Sequence, residues 1–198
     1  MSNHLPTDYQ SFIHTSRYAR WLDKENRREN WAETVSRYMT NVVAPALQDL
    51  NIHDDLDYSK ILPETEGEIE EAILGLEIMP SMRAVMTAGP ALERDNTAGY
   101  NCSYLPVDDP KSFDEAMFIL LCGTGVGFSV ERQYISKLPE VPEQMFTSED
   151  VIVVHDSKEG WAKALRKLIA MLYAGEIPKW DVSKVRPAGA KLKTLGGR

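Results

Sequence analysis

Two cysteines stand in the chain, Cys102 and Cys122, and the second runs straight into its densest glycine cluster, Gly123-Thr124-Gly125-Val126-Gly127. A free thiol is only a few per cent thiolate at neutral pH unless a neighbour lowers its pKa. No histidine lies close to Cys102 in sequence to act as a base, which weakens a Cys/His hydrolase reading. Redox chemistry instead needs a partner thiol, and Cys122 is the only internal candidate. It falls at the end of an expected helix and reads as a small core residue. A redox-active Cys102 would then find its partner outside this chain. The sequence contains no CxxC and no Cys/His spacing suited to zinc. The scattered histidines, His4, His14, His53 and His155, read as solvated or structural.

These residues need elements to hold them. Residues 101–105 are short, apolar-rich and bounded by Gly99 and Pro106, which predicts a buried strand. Asp109 is a good N-cap, and Pro110 suits the first helical position, where its missing N–H costs nothing. Phe113, Met117, Leu120 and Leu121 recur at helical spacing up to Gly123. Residues 126–130 predict a second strand. The glycines therefore end a helix and begin a strand, the reverse of a dinucleotide fingerprint, and no P-loop Gly-Lys-Ser/Thr follows. Two readings of them stay open: a tight helix-to-strand turn, or a ligand lying flat on backbone without side chains.

The flanks supply a scaffold. Up to about residue 50 the chain reads as helical, with a short amphipathic run at Tyr18 to Trp21. A longer helix follows, with Trp31, Val35, Tyr38, Met39, Val42 and Val43 on one face. Its charged residues, Lys24, Arg27, Arg28, Glu29, Glu33 and Arg37, read as a solvated face. Residues 51–65 read as an acidic loop, and Thr65 with Glu68 as a capping box before Ile69, Ile73 and Leu76. The span 80–90, with small residues and one buried-looking Arg83, is neither clean helix nor clean strand. It is a core-lining connection, or a place where Ser81 and nearby amides meet an anion. Residues 91–98 read as a polar loop. Later, residues 151–154 predict a buried strand. Asp156 and Glu159 suggest a cap for a helix carrying Trp161, Leu165, Leu168, Ile169 and Leu172 up to Gly175. Residues 180–185 predict another strand. Strands alternating with helices indicate an α/β architecture. The net charge of −8 argues against a general nucleic-acid or membrane-surface binder. No apolar run approaches a membrane span, and two cysteines without a disulfide framework point to the reducing cytoplasm.

Five blocks carry a resemblance: PSMRAVMTAGP, AGYNCSYLPVDDPKSFDEAM, LLCGTGVGFSVE, VVHDSKEGWAKAL and VRPAGAKLKTLGGR. In order and spacing they resemble the N-terminal part of adenosylcobalamin-dependent (class II) ribonucleotide reductases, most closely the monomeric ribonucleoside-triphosphate reductase branch. The resemblance implies an N-terminal helical region, residues 1–65. Residues 66–198 would then form the first part of a ten-stranded α/β barrel of two five-stranded halves around a finger loop, left incomplete here. It implies radical chemistry started by a cobalamin-derived radical, passed to a finger-loop cysteine that abstracts a ribose hydrogen. Two further cysteines then supply electrons and close into a disulfide. Cys102 matches the first of that reducing pair, and Asn101 would face the ribose. Gly123, Thr124 and Gly125 match the turn on which the substrate lies, and Ser81 and Met82 the region meeting its phosphates. Asp109, Lys111 and Arg132 would belong to the site of an allosteric deoxynucleotide effector.

The radical cysteine, the second reducing cysteine, the acid/base glutamate and most of the adenosylcobalamin site lie later in the family sequence than the span matched here. The resemblance therefore implies a C-terminal reductase polypeptide as partner, besides a ribonucleoside triphosphate substrate and a thioredoxin-type reductant. A split enzyme, an interrupting element such as an intein, and a truncated product would each account for this. The alternative is a non-catalytic nucleotide-binding or regulatory remnant that keeps only the effector surface.

Overall fold

The computed structural model describes residues 5–53 and 62–190. The chain divides into two compact units that part between Gly99 and Tyr100. In the first of them the helices that begin at Leu62 and Met82 pack on the helix that begins at Trp31.

The first unit is mainly helical. Helix α1 (Asp8–Ile13) starts at a Thr7/Gln10 capping box. It passes into a π-helical turn, His14–Tyr18, where the sequence suggested an amphipathic run starting at Tyr18. The short strands β1 (Trp21–Leu22) and β2 (Arg27–Arg28) pair antiparallel. Helix α2 (Trp31–Tyr38) opens on a second capping box, Asn30 with Glu33. A π-helical turn (Met39–Val43) joins it to α3 (Ala44–His53). Helix α4 (Leu62–Leu74) begins before Thr65, so that residue is not its cap. The span expected to be irregular holds α5 (Met82–Thr87), and the expected loop after it holds α6 (Pro90–Arg94) and a 3-10 turn (Asn96–Gly99). Trp31, Val35, Met39 and Ile73 form the core. Full burial of an aliphatic side chain such as Val35 or Ile73 stabilises by about 1.5–3 kcal/mol.

The charged face of this region is not all solvated. Glu29 is 7% exposed, and Arg37 grips it with Nε and Nη2 at 2.8 and 2.9 Å. Arg37 Nη1 also donates to the carbonyls of Val85 and Ala88, both at 3.0 Å, and Arg20 donates to that of Met86. Two arginines thus satisfy the carboxyl end of α5, where helix carbonyls otherwise lack partners. Burial, and then the nearby Arg37 charge, push Arg20 down to about 10. Glu33, by contrast, pairs with Arg27 nearer the surface and is held down to about 2, first by that hydrogen bond.

The second unit contains two strand–helix–strand repeats, each with parallel strands. The first is β3 (Cys102–Pro106), α7 (Ser112–Leu121) and β4 (Gly125–Ser129). A short α8 (Arg132–Ile135) precedes the second repeat: β5 (Phe146–Val153), α9 (Lys158–Tyr173) and β6 (Glu176–Asp181). Several expected boundaries shift. Helix α7 starts two residues after Pro110, because Asp109 instead accepts from the Lys111 amide at 2.8 Å in a turn of its own. Ser157, not Asp156, caps α9 by accepting from Gly160 N at 2.9 Å. Strand β6 begins at Glu176 rather than Trp180.

The strands are buried on one face only. Leu105, Ile152 and Val154 are buried, whereas Tyr104, Val151 and Val153 are exposed. The apolar residues expected to be the buried face of α7 are also largely outside: Phe113, Leu120 and Leu121 are exposed, while Ser112 and Asp114 are buried. Asp114 pairs with Arg166 of α9 at 2.7 Å, so a charge pair ties the two helices where the sequence suggested apolar packing. No helix among the described residues is long and apolar enough to cross a membrane.

Candidate active site

Parallel pairing of β3 and β4 sets Cys102 opposite Gly125 and Tyr104 opposite Gly127. Side chains alternate along a strand, and paired residues share a face. Cys102, Gly125, Tyr104 and Gly127 therefore lie on one face of the strand pair, and Leu105 is buried on the other. Cys102 is a free, exposed thiol. Beside it the sheet presents bare backbone at both glycines.

Packing among the described residues does not explain these glycines. Among those residues a Cβ added at Gly125 would meet the Asn101 carbonyl at 3.5 Å, and one at Gly127 that of Ser103 at 3.6 Å, both ordinary contacts. Gly123 is different. Its φ of 86° is left-handed, so it is the residue that turns α7 into β4. Of the two open readings of the cluster, a turn fits Gly123 and an open shelf fits Gly125 and Gly127. Thr124 sits between them with 1% exposure, its hydroxyl donating to the Tyr100 carbonyl at 2.8 Å. Its side chain locks the turn and does not face the shelf. Asn101 is exposed next to Cys102, and its carbonyl accepts from Gly125 N at 2.9 Å.

The sequence reading did not single out Tyr104 and Gly127. The signal was available: with Cys102 on a strand, the residue two further along must share its face. The Tyr104 hydroxyl is pushed above its ordinary pKa, first by partial desolvation and then by the neighbouring Tyr134.

A second cluster lies at the other end of the strand pair. Pro106 and Ser129 are register partners at the carboxyl ends of β3 and β4. Asp109 and Lys111 follow the first end and Arg132 follows the second, and all three are exposed. Lys137, just after α8, donates to Asp108 at 3.1 Å and holds the two connections together. Pro106 lies four steps along the strand from Cys102, a span of roughly 13 Å at about 3.3 Å per residue. Carboxyl ends of parallel strands are where α/β folds usually bind ligands.

Ser81 and Met82 belong to the first unit. The Ser81 hydroxyl accepts from Ala84 N at 3.5 Å and caps α5. Met82 is half-buried and lines an apolar cavity of about 160 Å³ with Tyr9, Ile13, Trp31, Leu76 and Met79.

The chain as a whole is similar to known proteins. Residues 2–90 match the family model of the ribonucleotide reductase alpha domain. Over 91% of its length the chain is 26% identical to the adenosylcobalamin-dependent ribonucleoside-triphosphate reductase of Lactobacillus helveticus, of which it covers 32%. It is 28% identical to the enzyme of that description from Lacticaseibacillus paracasei, again covering 91% of this chain and 32% of the relative. Its fold matches a crystal structure of a B-12 dependent (class II) ribonucleotide reductase with a TM-score of 0.78 and 25% identity, over 94% of this chain and 34% of that one. The likeness is thus to ribonucleotide reductases, in family model, sequence and fold. Within that class the chain resembles the N-terminal part of the adenosylcobalamin-dependent, triphosphate-reducing members. It spans about a third of the length of these relatives, 32%.

Proposed function

We propose that this chain is the N-terminal part of an adenosylcobalamin-dependent reductase of ribonucleoside triphosphates, acting in the cytoplasm, with Cys102 as one of the two reducing thiols. The observation that carries the reading is the placement of an exposed thiol on a strand face beside Gly125 and Gly127. A sugar can approach such a surface closely because no Cβ stands in the way. Cys102 and a second cysteine from outside the described residues would give up two electrons and two protons and close into a disulfide. A thioredoxin-type reductant would reopen it by exchange. Asn101 would face the ribose, Gly123 and Gly125 would shape the shelf, and Thr124 would hold its turn. Ser81 and Met82 would approach the phosphates. Asp109, Lys111 and Arg132, at the carboxyl ends of β3 and β4, would bind a deoxynucleotide effector. Residues 66–198 would contribute the first part of the ten-stranded barrel, after a helical region 1–65.

The two cavities of the first unit are too small to hold adenosylcobalamin by themselves. The cavities in the first unit, about 160 and 280 Å³, fall below even the usual range for drug-sized ligands. The site of that cofactor would lie mostly in a C-terminal reductase polypeptide.

The test adds a polypeptide carrying the remaining part of the barrel, with adenosylcobalamin, a ribonucleoside triphosphate and a thioredoxin-type reductant. Cobalamin-dependent deoxynucleotide formation is expected, and Cys102→Ser should abolish multiple turnover. Undiminished multiple turnover in Cys102→Ser would remove Cys102 from the reaction. Deoxynucleotide binding without activity under any complementation would favour a non-catalytic regulatory remnant.

A further inference from the structure

We propose that Cys122 and Lys158 form a thiolate–ammonium pair that makes Cys122 a site of oxidation by hydrogen peroxide. Lys158 Nζ donates to Cys122 Sγ at 3.0 Å. The same ammonium lies 5.2 Å from the centre of the Phe118 ring. Phe118 and Cys122 are four residues apart at the carboxyl end of α7, so ring and sulfur share one helical face. Lys158 is the first residue of α9 and reaches this face from the other helix.

The ring contact favours the charged lysine. A ring attracts an ammonium through its quadrupole, and an ammonium against sulfur favours the anionic form. Cys122 and Lys158 are each half-buried, which limits screening by water and salt. The carboxyl end of α7 opposes an anion there. Its last carbonyls are already occupied, however: those of Phe118, Ile119 and Leu120 accept from Cys122, Thr124 and Gly123. The cation in direct contact is therefore the stronger influence. Carboxylates on the same helices are engaged or outside, with Asp114 on Arg166 and Glu115 and Glu159 exposed.

The chemistry balances with peroxide as oxidant. The thiolate attacks one peroxide oxygen, the S–O bond forms and the O–O bond breaks. Sulfur loses two electrons, hydroxide departs, and the product is a sulfenic acid. This inference does not depend on the reductase reading.

The experiment alkylates the full chain with iodoacetamide from about pH 6 to about pH 9.5 and follows Cys102 and Cys122 separately by peptide mass spectrometry. The midpoint of each profile reports thiolate formation whatever the accessibility of the sulfur. Cys122 should titrate about one unit or more below Cys102. Lys158→Met should raise its midpoint by a similar amount, slowing its alkylation at pH 7 about tenfold relative to its own alkaline plateau. Lys158→Arg should keep the low midpoint. Should Lys158→Met fail to fold, the two cysteines of the unaltered chain and the Lys158→Arg profile still decide. A Cys122 midpoint at or above that of Cys102, or one that Lys158→Met leaves in place, overturns the pair. With substoichiometric hydrogen peroxide and dimedone, Cys122 should be labelled before Cys102, and labelling of Cys102 alone would overturn the oxidation step.

Discussion

The two units differ in where most of their polar groups of interest stand, although the second also buries Asp114 against Arg166. In the first, charges are taken inside and satisfied there: Glu29 receives Arg37, the Arg20 amide and the Thr34 hydroxyl. Thr34 has one proton and spends it on Glu29, so it must accept from His14 Nε2, 2.8 Å away. In the second unit the reactive groups stand outside, on a half-covered strand pair, and glycine takes up the positions beside them. Buried networks fix a structure, whereas open backbone leaves room for a ligand. The proposed shelf in the second unit is of the open kind.

The largest test of that contrast removes the clamp. Arg37→Met leaves Glu29 buried without its guanidinium and should cost about 3–5 kcal/mol, read by thermal or urea unfolding. A loss below about 1 kcal/mol would mean that the network is wetter than its burial indicates. Next comes Gly160, where an added Cβ would lie 2.4 Å from the His155 carbonyl. Gly160→Ala should destabilise by about 1–3 kcal/mol, as overpacking does. This glycine is required by the fold itself.

Acid should separate the units further. Burial lowers the His14 pKa. Hydrogen bonding by Arg37 and its neighbours lowers that of Glu29, although burial acts the other way and is the largest single influence. Groups with depressed folded pKa values stabilise above their unfolded values and lose that contribution as pH falls through the folded ones. Stability of the first unit should therefore decline from about pH 6.5 downward, His14 acting first and Glu29 below about pH 4.5. Hydrogen exchange in α2 peptides would follow this, and His14→Gln should remove the upper part of the decline. The smallest expected effect is at Gly127. Gly127→Ala should change stability by less than about 0.5 kcal/mol, because the added methyl meets only ordinary contacts. If the shelf receives a sugar, that substitution should still impair turnover of the complemented enzyme. Equal impairment of folding and turnover would reduce the shelf to a structural feature.

Much of the candidate site could be read in advance. Gly99, Pro106 and Gly123 bracket a strand and a helix, and local backbone preference suffices to place them. Cys102 on a strand and the turn at Gly123 were legible for that reason. Pairing across β3 and β4 was not, since register depends on two segments more than twenty residues apart. The placing of Gly125 beside Cys102 and of Gly127 beside Tyr104 therefore emerged only from the register. The Glu29–Arg37 pair was hidden more deeply. A charged run beside an amphipathic helix looks solvated, and only the arrival of α5 buries it.

The sequence by itself determined the local punctuation: capping residues, glycine turns, one thiol on a strand, and five blocks of reductase-like spacing. Those properties reside in single residues and their near neighbours. Tertiary structure decided which strand faces stay open, which charges are buried, and which lysine meets Cys122. Each of these depends on groups far apart in the chain, and no local preference encodes their meeting.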